Sequence, residues 1–296
     1  MMSEDEDQSP VKERNLDGEI ANAALHRERD EIIRRFGSAA REHYAAYTGK
    51  NTPPDPKKTD TLKQLNRHKG GLAQRGGYAA EIKAVARRNA NHIETGDDIR
   101  FAREGHNDEI VDLMQIDNQG RPLPGSESQM KFIGATPEEL LAKLQGRRCQ
   151  KYIDAGVYLD IADDDYAALM GHNGTPGLID QRLDELNDLL ENASPNKKAE
   201  IQGKIDKLRT IKSKLRKSGL TRREAMEAVR HPKWATVKDV IGVAHKAGVQ
   251  QALNVAAVTG AMSLVREFVA YVKGEEDLQE AAENVGKTVG IAAAMG

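Results

Sequence analysis

Asp112, Glu127, Gln129 and Lys131 fall within one short stretch, "DLMQIDNQGRPLPGSESQMK", which reads as two β-arms joined by a turn. Side chains two residues apart share one face of a strand, so Glu127, Gln129 and Lys131 project together from the second arm. Asp112 stands between apolar neighbours in "IVDLM" on the first arm, where an uncompensated carboxylate is costly. Facing strands lie about 4.8 Å apart, close enough for their side chains to converge on one ion. Carboxylate and amide oxygens suit a hard divalent cation, and an ammonium group beside them suits the attacking water or scissile phosphate of a phosphodiester. Glu81, near the start of a helix read from about Gly77 to Ile93, is placed to add an outer ligand. The same alternation with Met130 and Phe132 also describes the solvent face of an ordinary amphipathic strand.

The surrounding pattern supplies elements to hold these groups. "IRFARE" and "EIVDLMQID" read as strands, "NQG" as the turn, and "ESQMKFI" as the returning strand. "ATPEELLAKLQG" carries Thr136, Pro137 and Glu139 at the N-cap, first helical position and capping-box position. "AGVYLDIADDDYAAL" follows as a strand with an acidic exit, which makes the order from 77 to 162 αβββαβ. Downstream, Leu178, Ile179, Leu183, Leu186 and Leu190 form one helical stripe and Ile201, Ile205, Leu208, Ile211 and Leu215 another. Ser194 and Pro195 restart the helix between them, and an acidic first arm opposite a basic second arm predicts an antiparallel helical hairpin. The surplus positive charge of the second arm is a candidate for phosphate contact.

Five regions follow: a disordered acidic tail at 1–16, an N-terminal helical segment and linker at 17–60, an α/β core at 61–172, the helical hairpin at 173–219, and a Gly/Ala-rich helical module at 220–296. The class is α+β. Thr221 and Glu224 form a further capping box, and Trp234 is read as the anchor of a bend after Pro232. The apolar end "VGIAAAMG" reads as a pattern that continues or packs on a partner.

Asp112 followed seventeen residues later by "QMK", inside an αβββαβ order with a glutamate on the first helix, resembles the PD-(D/E)xK nuclease superfamily. The Gln-x-Lys form is similar to its Mrr-type restriction branch. The resemblance spans roughly 70–170 and implies a restriction-endonuclease-like core hydrolysing DNA with Mg²⁺ or Mn²⁺. It implies that Asp112 is the principal metal ligand, that Gln129 contributes its side-chain oxygen, and that Lys131 orients or activates water. Glu81 would match the helix glutamate, with Glu127 as a further candidate ligand. No proline precedes Asp112, and Asp108 and Asp117 compete for its role, although Asp117 adjoins the turn. Such cores occur in bacterial defence systems, mobile elements and competition toxins.

Composition narrows the alternatives. A net charge of -2 over 296 residues excludes a bulk electrostatic grip on nucleic acid and leaves only a local basic face. An aromatic share of 4% leaves few rings for base stacking, so DNA would be held through its phosphates, with Arg67, Lys69 and Arg75 of the Gly-rich "LNRHKGGLAQRGG" near the backbone. One cysteine, Cys149, excludes a disulfide framework or cysteine-rich zinc module and reads as a structural thiol. No secretory signal or apolar run of about 18 residues is visible, so the expectation is a cytoplasmic protein without stable membrane insertion. His231 and His245 lack a second histidine at ligand spacing. Two other classes compete with a nuclease: a non-catalytic assembly protein with a relic core, pairing through its C-terminal helices with a protein partner or a second copy, and a membrane-active effector that uses residues 236–296.

Overall fold

Leu159 and Ile161 of "VYLDI" are fully buried, while Asp160 between them, also without solvent exposure, points the opposite way. A strand with both faces covered needs a layer on each side. The computed structural model supplies both, and describes residues 34–49, 61–65, 70–104 and 109–250. The acidic tail, residues 17–33, most of the linker, Arg67, His68, Lys69, Asp108 and residues 251–296 lie outside the described residues.

The elements are α1 (described at 34–48), α2 (Leu72–Thr95), β1 (Arg100–Arg103), β2 (Leu113–Ile116), β3 (Ser128–Met130), α3 (Pro137–Gln145), α4 (Arg147–Asp154), β4 (Tyr158–Ile161) and α5 (Asp163–Met170). They continue as β5 (Gly171–His172), β6 (Thr175–Pro176), α6 (Leu178–Glu191), α7 (Pro195–Lys214), β7 (Leu215–Lys217), α8 (Arg222–Arg230) and α9 (Pro232–Gln250). Five strands form one mixed sheet in the order β1-β2-β3-β4-β7, and β5 with β6 makes a separate two-stranded ribbon. β1, β2 and β3 pair antiparallel in turn, whereas β4 lies parallel to both β3 and β7. No helix among the described residues is long and apolar enough to cross a membrane.

One face of the sheet carries α2: Ala80 and Ala84 pack on Leu113, Met130, Leu220 and Ala225. The other carries α3, α5, α6 and α7, with Leu140, Leu144, Leu169, Ile179, Leu208 and Ile211 closing over Leu159, Ile161 and Leu215. The helical hairpin is therefore part of the main core rather than an appended module. The basic arm also ends sooner than its apolar stripe predicts, because Leu215 leaves the helix and pairs with Leu159 as the fifth strand. Burial of Leu215 on the sheet replaces the last helical turn, and three residues are too few to show a strand period beforehand.

Other differences have similarly local causes. Helix α2 begins at Leu72, so the second Gly-Gly pair is inside it. A Cβ on Gly76 would stand 2.8 Å from Met226 Sδ, so the missing side chain there is what lets α8 approach. Trp234 is 53% exposed and anchors no bend; Pro232 instead starts α9. The acidic stretch after β4 is the first turn of α5, and it captures the β7–α8 connection. Asp163 accepts from Gly219 N at 2.9 Å, Asp164 from Arg222 N at 3.2 Å, and Asp165 pairs with the Arg222 guanidinium at 2.6 Å. Thr221–Glu224 forms the complete capping box as read, whereas at α3 Glu139 N donates to Thr136 Oγ1 at 3.2 Å but the Glu139 carboxylate accepts from Ala135 N at 2.7 Å instead of from the N-cap amide.

Helices α1, α2, α8 and α9 are tied by a charge cluster around Asp239. Its carboxylate contacts Lys83 and accepts from Arg87 at 2.9 Å, and Arg87 also donates to Glu224 at 2.8 Å. His43 Nδ1 lies 3.8 Å from the same carboxylate. Burial nevertheless lowers the imidazole to about 4, because desolvation outweighs the Asp239 charge, and Lys83, Arg87 and Lys246 push the same way as burial. The folded value lies below the unfolded one, so the neutral ring's contribution is present above about pH 6.5 and lost as pH falls toward 4. The wild type is expected to lose about 3 kcal/mol relative to His43→Phe across that window, read by urea unfolding at each pH. A difference that does not change with pH would exclude a buried neutral His43.

Candidate active site

At the centre of the sheet the backbone ladder brings Asp112 beside Gln129. Glu104 N donates to Asp112 O at 2.8 Å, and Asp112 N donates to Ser128 O at 2.9 Å. The next donor of β3, Met130 N, finds no carbonyl on the first arm; it donates to Asp112 Oδ2 at 2.8 Å. Gln129 Nε2 donates to that same oxygen. The carboxylate thus occupies a rung of the ladder where β2 and β3 begin to diverge. Strand alternation sets the faces: Leu113, Ser128 and Met130 turn to α2, and Asp112 and Gln129 turn to the face bearing α3 and α4.

Lys131 follows Gln129 on this second face. Its backbone N donates to Asp160 O at 2.8 Å, which fixes the start of the departing segment. The ammonium lies 3.9 Å from the centroid of the Tyr152 ring of α4, a cation–π contact that holds the chain extended over the ring. Gln129 and Lys131 are only 8% and 9% exposed, so both groups act in a desolvated setting. Burial raises the Asp112 pKa above the usual carboxylate value, opposed by the Met130 amide, the Lys131 charge, the Gln129 amide and the Arg103 charge.

The Gln129 carboxamide tests whether a cation fits. Its Oε1 is shielded from solvent and accepts no hydrogen bond. A buried amide oxygen left without a donor costs about 1–3 kcal/mol, which a cation or an ordered water would relieve. Both hydrogen bonds to Asp112 end on Oδ2, and no described residue donates to Oδ1. Asp112 and the adjoining Gln129 thus each hold a hard oxygen that no described donor occupies, the kind of ligand a divalent cation takes.

Among the described residues, no hydrogen bond or ion pair joins the other candidate ligands to Asp112 or Gln129. Glu81 is held on the α2 side by Arg103, whose Nη2 donates to its Oε2 at 3.3 Å. Glu127 precedes β3, where its carbonyl accepts from Tyr158 N at 3.0 Å, and no hydrogen bond or ion pair joins its side chain to Asp112, Gln129 or Lys131. Among the described residues no three His, Cys, Asp or Glu side chains converge as a metal cage. Asp117 is a turn residue: its Oδ1 accepts from Gln119 N at 2.8 Å and Arg121 N at 2.9 Å. Arg75 lies near the start of α2, and six residues at about 1.5 Å rise set it about 9 Å along the helix from Glu81. Cys149 is buried, and burial raises its thiol pKa against the charges of Lys131 and Lys207, as befits a structural thiol.

Two residues of the site escape the sequence reading. Arg103 shares a face with Phe101, and the period-two pattern of "RFAR" was the available signal. Tyr152 has none, because α4 is a short helix of mixed polar composition whose position under Lys131 is set only by packing. Comparison with protein-family models, with curated proteins and with solved structures finds no match to this chain.

Proposed function

We propose that the chain is a metal-dependent nuclease that hydrolyses DNA phosphodiester bonds, built on a restriction-endonuclease-like αβββαβ core. The observation that carries this reading is the buried, donor-free Gln129 Oε1 beside Asp112, with the Lys131 ammonium on the same face. The sheet order supports it: an antiparallel β1-β2-β3 unit preceded by α2 and continued by a parallel β4. A divalent cation held by Asp112 and the Gln129 oxygen would polarise the phosphoryl group and lower the pKa of a bound water. Lys131, held at its stem by the sheet and at its head by Tyr152, supplies a fixed positive charge for the attacking water or the phosphate oxygens. Asp112 must be ionised to hold the ion. Burial raises the Asp112 pKa, so a cation there would be held less tightly as pH falls.

Calorimetric titration with Mn²⁺, paired with plasmid nicking in Mg²⁺ or Mn²⁺, tests the proposal. One saturable site and metal-dependent nicking are expected, and Asp112→Asn should lose both. A second reading rests on the same carboxylate: Asp112 fills a ladder rung and serves structure alone, in a non-catalytic assembly protein. Metal-independent behaviour of the wild type, with Asp112→Asn changing only the unfolding midpoint, would favour that reading and reject the nuclease.

A further inference from the structure

We propose that the outer face of α4, with the adjoining part of α7, is the surface that takes the phosphate backbone of duplex DNA beside the Asp112 centre; the identity of the polymer rests on the nuclease reading. Helix α4 is joined to the centre on its inner side, where Tyr152 lies under Lys131. Its outer side carries Arg147, Arg148 and Lys151, all exposed. Residues four apart stack along one helix face, so Arg147 stands over Lys151, and Arg148 stands over the ring that supports Lys131. The only acid on the helix, Asp154, is at its far end and accepts from Gln150 at 2.8 Å. The positive end of the helix dipole lies at Arg147, which adds to the same field.

What sets this patch apart is its place beside the Asp112 centre together with its unpaired cations. Along α7, Lys204 is paired with Glu200, Arg209 with Asp206 and Lys212 with Asp180. Arg147, Arg148 and Lys207, like Lys197 and Lys198 at the far end of α7, have no carboxylate within ion-pair distance among the described residues. Helix α7 packs against α4, and the Lys207 charge acts on Cys149 of α4 together with that of Lys131. Lys151 is paired at 3.0 Å with Glu109, three residues before Asp112, which places the patch against the first arm of the site. Exposed guanidinium groups without acidic partners thus stand on the helix that supports Lys131, on a chain whose overall charge is -2. A polyanion is the partner that such a local field selects, and the cations face its phosphates rather than its bases.

Anisotropy of a labelled 30-bp duplex, measured on the full chain in EDTA across a NaCl series, separates binding from cutting. Arg147→Glu/Arg148→Glu is expected to weaken binding at least tenfold at about 0.1 M salt and to flatten the log–log salt slope by about 2, the value for two lost phosphate contacts. Glutamate near a helix N-terminus favours the helix, so the fold should persist, and Arg147→Gln/Arg148→Gln should weaken binding to a smaller degree. Lys197→Glu/Lys198→Glu makes the same change in net charge about 15 Å along α7 from Lys207 and should leave affinity within twofold. Equal loss in both charge-reversal pairs, no loss in the arginine pair, or no duplex binding at all would overturn the proposal. Loss confined to the arginine pair in a protein that never cuts DNA upholds the surface and rejects the nuclease. Cutting that is indifferent to the arginine pair does the reverse.

Discussion

Lys131→Ala is expected to lower Mg²⁺-dependent plasmid nicking by about 10²–10³-fold, the usual cost of removing one preorganised charge from a water-excluded centre. The substitution removes a charge that acts on the Asp112 carboxylate, as well as the nearer cation over Tyr152. Some stability goes with it, since a desolvated cation–π contact contributes up to about 2 kcal/mol. Lys131→Met keeps the stem against the ring without the charge, and Tyr152→Phe keeps the ring without the hydroxyl. Activity should be lost in the first and retained in the second, with both proteins still folded by circular dichroism. Undiminished nicking by purified Lys131→Ala would assign the cutting to a contaminant or another site.

Asp160→Ala is expected to destabilise the fold by about 3–5 kcal/mol, the range for breaking a buried ion pair. Asp160 has no solvent exposure, and its carboxylate accepts from Ser128 Oγ at 2.8 Å, Arg88 Nη1 at 2.8 Å and Arg216 Nε at 3.1 Å. One carboxylate therefore joins α2, β3, β4 and β7 on the α2 face of the sheet. Alanine leaves two guanidinium groups facing each other without a counter-ion, in a fold whose total stability is of order 5–15 kcal/mol. Urea unfolding of Asp160→Ala measures the loss. The exposed Asp206→Ala, whose arginine partner is 4.0 Å away, should change stability by no more than about 0.5 kcal/mol. A loss below 1 kcal/mol at Asp160 would show that the cluster is not the centre of the sheet's electrostatics.

The sequence was most legible where short-range rules act. Periodicity located α2, α3, α6 and α7, capping chemistry located the starts of α3 and α8, and Asn and Gly located the turn between β2 and β3. The pairing of Asp112 with Gln129 was readable because alternation on facing strands constrains which side chains meet. Arg103 was half legible, visible as a strand residue but not as the partner of Glu81. Spacing did not show the partners of Glu81 and Glu127: Arg103 bonds the first, and no hydrogen bond or ion pair joins the second to Asp112 or Gln129 among the described residues.

By itself, the sequence determined the mixed helix and strand content, the hairpin with its paired polar residues, and the helix caps, because each depends on neighbours within a few residues or on one facing strand. The tertiary structure alone decided that Leu215–Lys217 would be the fifth strand, that α6 and α7 would close the main core, and that Tyr152 would lie beneath Lys131. It also decided which charges are compensated, pairing Lys204, Arg209 and Lys212 with acids while leaving Arg147, Arg148 and Lys207 without acidic partners among the described residues. These outcomes depend on contacts between residues dozens of positions apart, where burial of a Leu on a sheet or the approach of one helix outweighs any local preference.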